Sequence, residues 1–483
     1  MRRVYKYIAI LSMSAAILYG CDSLLDIPAE SVITSQSFWK TENDANAGLN
    51  GAYSLFRSAF EGQNLFIWGD YRTGFYGDNI NNGYATYGNL WDNQLDPTTR
   101  GTDWGNLYKA VNTCNLVLSH VPDISFKNEK SKDNILGQAY FLRAYLYWQI
   151  VRIWGDAPLM TVGIESDDEN HLYPSRQPVD KVFELIESDL DMAKSMIGSS
   201  NGIYKANLAT VCLLQTDVYL WQYKVNGKGA DYLTKASSAL ASFENANTSN
   251  MSPDYESVFR NESNSEIVFS IPFIQEENEN SAKGFINLVS TVVSDYQNNP
   301  VPVGPDTQWM IITDKHRAFL SEDTNDVRAD VNAMMYEAPT GDTYRWINKY
   351  LGTWKDGTRY SDTDYRLYRY ADAVMLKAEI LNEQGNQSGA IAEVNKIAKR
   401  AYGKDSYYAG TYSKVEVDEI ITNERIKEFA TEGKLWFDLI RLGKSFEKIG
   451  SLAGKENKEG ILLWPVSNAT INNNSNMTQT PGY

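Results

Sequence analysis

From Trp68 to Asn93 the chain reads WGDYRTGFYGDNINNGYATYGNLWDN, 26 residues that hold seven aromatic rings, five Gly and five Asn. Rings interleaved with carboxylates and amides suit one chemistry in particular, the recognition of a sugar. A pyranose has a relatively apolar C–H face and a rim of hydroxyls, so its site needs exposed aromatic planes beside Asp, Asn or Arg, whose two-pronged groups pair with neighbouring hydroxyls. Trp and Tyr serve because they offer large apolar area with little entropy to lose. The stretch supplies Trp68, Tyr71, Tyr76, Tyr84 and Trp91, together with Asp70, Arg72, Asp78, Asn79, Asn82, Asp92 and Asn93. Trp91, flanked by Asp92 and Asn93, is the first candidate for a stacking platform, with Arg72 and Asp78 next as hydrogen-bonding partners. About half of the rings are expected to pin the segment to neighbouring helices instead.

Other chemistries find less support. Glu424, Glu428 and Glu432 recur every four residues, and adjacent carboxylates can work as acid and base. Glu424 with Lys427 and Arg425 with Glu428 are also three apart, the spacing of helix-surface ion pairs, and a structural charge network is the favoured reading. The three His, at 120, 171 and 316, have no metal-ligand spacing, so neither a metal nor a cofactor is expected. Asp78 to Gly83 fails the EF-hand pattern because Ile80 stands at a ligand position. The runs SDDEN and EENEN read as solvated loops. Cys114 and Cys212 lie in apolar contexts, as buried free thiols or, less favoured, a bridge.

The N-terminus carries Arg2, Arg3 and Lys6, then an apolar run from Ile8 to Tyr19 that is too short for a spanning helix. This is an export signal over residues 1–20. Its end, Leu18-Tyr19-Gly20-Cys21, resembles a lipobox, which makes Cys21 the expected lipidation site, with plain secretion as the alternative. A polar tether follows to residue 40. Loss of the signal takes 45 Lys and Arg to 42 against 61 Asp and Glu, a net charge of −19. Nucleic acid is thereby an unfavoured partner, since phosphate binding needs a basic surface.

The elements that must hold the aromatic stretch are helical. Patterns of helical period appear at 38–60, with Thr41 as candidate N-cap, and at 104–121, 132–155, 178–197, 205–224, 231–246, 364–385 and 388–402. They read as antiparallel pairs that stack because one pair cannot bury its own apolar face. Leu136-Gly137-x-x-Tyr140 and the Ala and Gly placement of KAEILNEQGNQSGAIAEVN match parts of the tetratricopeptide pattern. Between the first two helices lie about forty residues, too long for a plain connection and too aromatic for disorder, and too rich in Gly and Asn for regular structure. A second interruption, 249–361, carries short strand-like runs such as EIVFSIPF and the aromatics Tyr296, Trp309, Trp346 and Trp354.

Six ordered segments then resemble the SusD/RagB outer-membrane lipoproteins of Bacteroidetes: CDSLLDIPAESVIT, FWKTENDANAGLNGAY, AYFLRAYLYWQIVRIWGDAPLMT, RLYRYADAVMLKAEILNE, NERIKEFATEGKLWFDLIRLG and LLWPVSNATINNNSNMTQTPGY. A departure, Leu435 after Lys434 where the family commonly has a basic residue, falls in a structural segment. The resemblance implies a mainly α fold, a tetratricopeptide-like scaffold at about 41–63, 104–248 and 362–443, with ligand-binding loops at about 64–103 and 249–361 in a single domain over 41–483. It implies a non-enzymatic glycan-binding lipoprotein at the cell surface, capping a SusC-like TonB-dependent transporter. Expected as ligand-binding from the chemistry of the first segment are Trp68, Asp70, Arg72, Tyr76, Asp78, Asn79, Tyr84, Trp91 and Asn93, and the resemblance, whose ligand sites draw on this loop and on aromatics of the insertion, adds Tyr296 and Trp309. Peptide binding, as in RagB, is the alternative within the class; a glycosidase and a scaffold that binds only protein are alternatives outside it.

Overall fold

A computed structural model of the chain describes residues 38–78, 83–165, 172–198, 201–275, 277, 279, 280, 282, 308–355 and 358–483. The export signal, Cys21, the tether up to 37, Asn79, Asn82 and Tyr296 lie outside the described residues. The first helix, α1 (Glu42–Phe60), starts where Thr41 caps it: the Thr41 hydroxyl accepts from the Asp44 N–H, and Asp44 Oδ2 accepts from the Thr41 N–H at 2.7 Å. This reciprocal box satisfies two of the donors that every helix start leaves free.

Two short helices follow, α2 (Asn64–Gly69) and α3 (Tyr84–Trp91), before α4 (Gly105–His120) packs against α1. Next come α5 (Glu129–Trp154) with α6 (Val179–Met196), and α7 (Leu208–Lys224) with α8 (Ala230–Ala246), each pair in contact along its length. Helix α7 is buried from Ala209 to Gln222, and α5 from Ile135 to Trp154 apart from the half-buried Tyr140, so both lie at the centre of the helical stack. Within the insertion, α9 (Asp314–Leu320) and α10 (Arg328–Asn332) are short, and after it α11 (Tyr370–Glu383) with α12 (Gln387–Tyr402) forms the last pair. Helices α13 (Lys414–Phe429) and α14 (Leu435–Arg441) close the scaffold.

Strands are few and short. Tyr76–Asp78 (β1) pairs antiparallel with Met310–Ile312 (β3), so the first aromatic segment is stitched to the insertion. Ile267–Ile271 (β2) pairs with Tyr365–Arg369 (β6), and Met334–Glu337 (β4) with Thr343–Trp346 (β5). The fold is mainly α, as expected, with stacked helix pairs.

Three local expectations are corrected. Residues 64–91 contain two helices despite their Gly and Asn. Tyr84, Tyr87, Gly88 and Trp91 sit at i, i+3, i+4 and i+7, and packing of that face outweighs the weak propensity of Gly88 and Asn89. Residues 365–369 form a strand that runs straight into α11. Glu432 lies beyond the end of α13 rather than on its face.

The three glutamates form the expected charge network, but their main partners come from other elements, not from Lys427 or the neighbouring Arg425. Arg369, fully buried, donates to Glu428 Oε1 at 2.9 Å and to Glu432 at 2.9 and 3.0 Å. Lys349 Nζ reaches Glu432 at 2.7 Å, Arg400 pairs with Glu266 and Glu428, and Arg328 joins Asp326 to Glu424 at 2.7 and 2.8 Å. Burial pushes Glu428 up, yet Arg400, Arg369 and Arg328 outweigh it and hold the carboxyl at about 2. Cys114 and Cys212 are buried free thiols.

Candidate ligand-binding surface

Six of the seven rings of the aromatic stretch are buried, more than the half expected, and Tyr84 alone is exposed. Trp68 packs edge-on against Phe60 and Trp154, and its Nε1 donates to the Gly101 carbonyl at 2.8 Å. Asp70 is buried beneath the turn at Gly433. Its Oδ2 accepts from the Gly433 N–H at 2.7 Å and from the Tyr76 hydroxyl at 3.2 Å, and its Oδ1 accepts from the Leu435 N–H at 3.2 Å. Burial nonetheless pushes this carboxyl up to about 7.

Arg72 is likewise enclosed. Its Nε donates to Asn93 Oδ1 at 2.7 Å, Nη1 to the Leu463 carbonyl at 3.0 Å and Nη2 to the Ile461 carbonyl. Its guanidinium lies 4.1 Å from the centroid of Trp436, and burial lowers its pKa to about 10. Asn93, at φ +51°, returns a hydrogen bond to the Arg72 carbonyl at 2.9 Å and another to Ser451 at 2.8 Å. Tyr71 and Tyr87 both donate to Gln63 Oε1, at 3.2 and 2.8 Å. Trp68, Asp70, Arg72, Tyr76 and Asn93 were expected to face ligand; their side chains are instead buried and their polar atoms engaged within the protein. They shape the surface from beneath, clamping the first segment to the C-terminal segment.

The exposed part is built on α3. Tyr84 is 51% exposed and donates its hydroxyl to Asp92, whose acceptance of that bond raises the phenol's pKa. Asp78, exposed at the end of β1, accepts from the Tyr84 N–H at 3.3 Å. Trp91 is 7% exposed, its ring 6.1 Å from that of Tyr84, and its Nε1 finds no hydrogen-bond partner among the described residues. Register places Asp78 opposite Met310, so Trp309 of the insertion arrives beside α3.

The contact that closes the arrangement is Gly83. A Cβ there would overlap the Trp309 carbonyl oxygen and come within 3.3 Å of the Trp91 ring. Trp309 is 38% exposed, while Met310 next to it turns fully inward, the alternation expected of a half-buried strand. Gln308 Nε2 holds the approach by donating to the Arg345 carbonyl at 2.9 Å. Tyr84, Trp309 and the edge of Trp91 therefore share one patch with Asp78 and Asp92. Gly83 and Gln308 were missed by sequence reasoning. The signal for Gly83 was available in the Tyr84/Tyr87/Trp91 periodicity that starts beside it; none existed for Gln308.

Such a patch can stack an apolar ring face and accept hydrogen bonds from hydroxyls at its margin. Among the described residues no group of His, Cys, Asp and Glu is arranged to hold a metal.

Comparison with known proteins agrees with the architecture. Residues 201–483 match the model of the SusD family, and residues 40–210 match a family described as starch-binding and associating with the outer membrane. A SusD-like protein of Formosa agariphila is 27% identical over 507 aligned positions, covering 98% of each chain. The starch-binding protein SusD of Bacteroides thetaiotaomicron is 30% identical over 131 residues, which cover 26% of this chain and 22% of that one. Among solved structures, NanU of B. fragilis superposes with a TM-score of 0.81 at 27% identity, over 95% of this chain and 100% of that one.

Proposed function

Because this chain belongs to the SusD family, we propose that it captures oligosaccharide at the cell surface and delivers it to a SusC-like TonB-dependent transporter in the outer membrane. Members of this starch- and glycan-binding family are binding proteins, and the family matched by the first part of the chain is associated with the outer membrane. Lipidation at Cys21 would anchor it there. The segments at 64–103 and 249–361 carry the ligand, and those at 41–63, 104–248 and 362–443 carry the scaffold, in a single domain after the tether.

The observation that supports a glycan is the patch of Tyr84 and Trp309, two solvent-facing rings from segments far apart in sequence, beside the carboxylates Asp78 and Asp92. Exposed rings in a protein that could have buried them fit a surface kept for recognition. Catalysis by the glutamate series lacks comparable support, because Glu424, Glu428 and Glu432 are buried and bound to arginines or a lysine.

Affinity electrophoresis against a panel of neutral and acidic polysaccharides tests the reading. Retardation by one polysaccharide is expected, and its disappearance in the Tyr84→Ala, Trp309→Ala double variant. No retardation across the panel would overturn the glycan assignment in favour of peptide, as in RagB-like proteins. Co-purification of a transporter with the chain from solubilised outer membranes tests delivery.

A further inference from the structure

A pocket opens between α1 and β2 and shares no residue with the Tyr84–Trp309 patch. Its volume is about 430 Å³, and its floor is Phe56, Phe269 and Ile271, with the half-buried rings of Tyr53 and Tyr204 as walls. Pockets of this size take small ligands.

Both wall hydroxyls are already engaged. Tyr53 donates to Gln138 at 2.9 Å and accepts from the Ala206 N–H at 2.8 Å, and Tyr204 is bonded to Asp364. The tyrosines therefore offer the pocket ring surface rather than polar groups. Polar capacity comes from elsewhere. Ser270, 1% exposed and lining the pocket, has a hydroxyl without a hydrogen-bond partner among the described residues. A buried hydroxyl left unpaired is uncommon, and a ligand hydroxyl would pair it.

The rim carries two cations, Lys205 and Arg57, and one carboxylate, Glu277. Lys205 Nζ lies 6.0 Å from the Tyr53 centroid and donates to Asn50 Oδ1 at 3.1 Å, a neutral partner. Arg57 faces Glu61 at 3.7 Å and Glu277 at 3.5 Å, and its Nε makes no hydrogen bond among the described residues. Glu277 is largely exposed, so an incoming carboxylate can displace it from Arg57 at little cost. Two cations on an apolar pocket contrast with a chain whose formal charge is −16.

We propose that this pocket is a second ligand site, which takes one carboxylate-bearing pyranose unit. Its C–H face lies on Tyr53 and Tyr204, a ring hydroxyl pairs with Ser270, and its carboxylate sits between Arg57 and Lys205. A neutral hexose fits the floor but leaves Lys205 with only the neutral Asn50 and gives Arg57 nothing in place of the exposed Glu277, so charge is the discriminating feature.

The test is calorimetric titration of the purified full chain with methyl β-D-glucuronide and, separately, methyl β-D-glucoside. Saturable binding of the glucuronide is expected, at least roughly tenfold tighter than the glucoside. Lys205→Gln and Arg57→Gln should each weaken it about tenfold, while Tyr84→Ala with Trp309→Ala leaves it unchanged. Lys205 sits on the rim, so its variant remains informative if Arg57→Gln fails to fold. Absent binding, equal binding of the two glycosides, or loss in the Tyr84/Trp309 variant rather than in Lys205→Gln overturns the proposal. Retained glucuronide binding in a protein that no polysaccharide retards would separate this site from the glycan reading of the first.

Discussion

At the residue scale, the aromatic stretch carries two populations that sequence cannot sort, because Tyr76 and Tyr84 have the same side chain and differ in what covers them. Exposure makes the sorting testable. Tyr84→Ala and Trp309→Ala should each weaken retardation by the retarding polysaccharide roughly five- to tenfold, the scale of one lost aromatic contact. The urea midpoint should barely move, since surface changes away from caps and cores stay within about 0.5 kcal/mol. Arg72→Ala should do the reverse. It strips Asn93 and two buried carbonyls of the C-terminal segment of their donor, and buried groups left unpaired cost about 1–3 kcal/mol each. Urea unfolding should register several kcal/mol of lost stability. A change in glycan affinity with unaltered stability would instead place the guanidinium at the ligand.

At the element scale, the decisive contact is the approach of the start of α3 to Trp309, just before β3. Gly83→Ala introduces a Cβ where the Trp309 carbonyl stands, so the helix and the strand must separate. Polysaccharide retardation should fall at least as far as in Trp309→Ala, although neither ring has been altered. Gly51→Ala supplies the contrast. It lies inside α1 with no atom within 4 Å of the place a Cβ would take, and replacing an interior helical glycine there should stabilise by about 0.5–1 kcal/mol without touching retardation. Elements with strong local signals were legible before the structure: Thr41 announced the start of α1, and the 3.6-residue period outlined α4 to α8. Helix α2 was not, because Leu65 to Gly69 are all buried and a helix without a polar face has no period to read. Strand β6 was hidden for a related reason, being buried at every position.

At the scale of the whole molecule, buried charge ties the helical stack to the insertion and sets how stability varies with pH. Glu379 and Glu428, held at about 2 although burial opposes it, bind fewer protons folded than unfolded. Their contribution is present above about pH 4.5 and lost as pH falls toward 2. Asp70 has the opposite sign. Raised to about 7, its stabilisation is full below its unfolded value near 4 and is lost as pH rises through 7, roughly 4 kcal/mol over that interval. Urea midpoints should therefore peak at mildly acidic pH, and Asp70→Asn should flatten the decline between pH 5 and 8. An unchanged slope in that variant would remove Asp70 from the account. Glu432→Gln, which leaves Arg369 and Lys349 short of a counter-charge in the interior, should cost about 3–5 kcal/mol. The order of residues was enough to establish the mainly helical class and the family, since composition, period and ordered motifs are properties of neighbours along the chain. The packed molecule was needed to show that Arg72 and Asp70 are clamps, that Glu432 pairs with Arg369, and that Gly83 meets the Trp309 carbonyl across more than two hundred residues of chain. Burial and charge pairing are set by what packs against a side chain, and that partner is chosen by the fold as a whole.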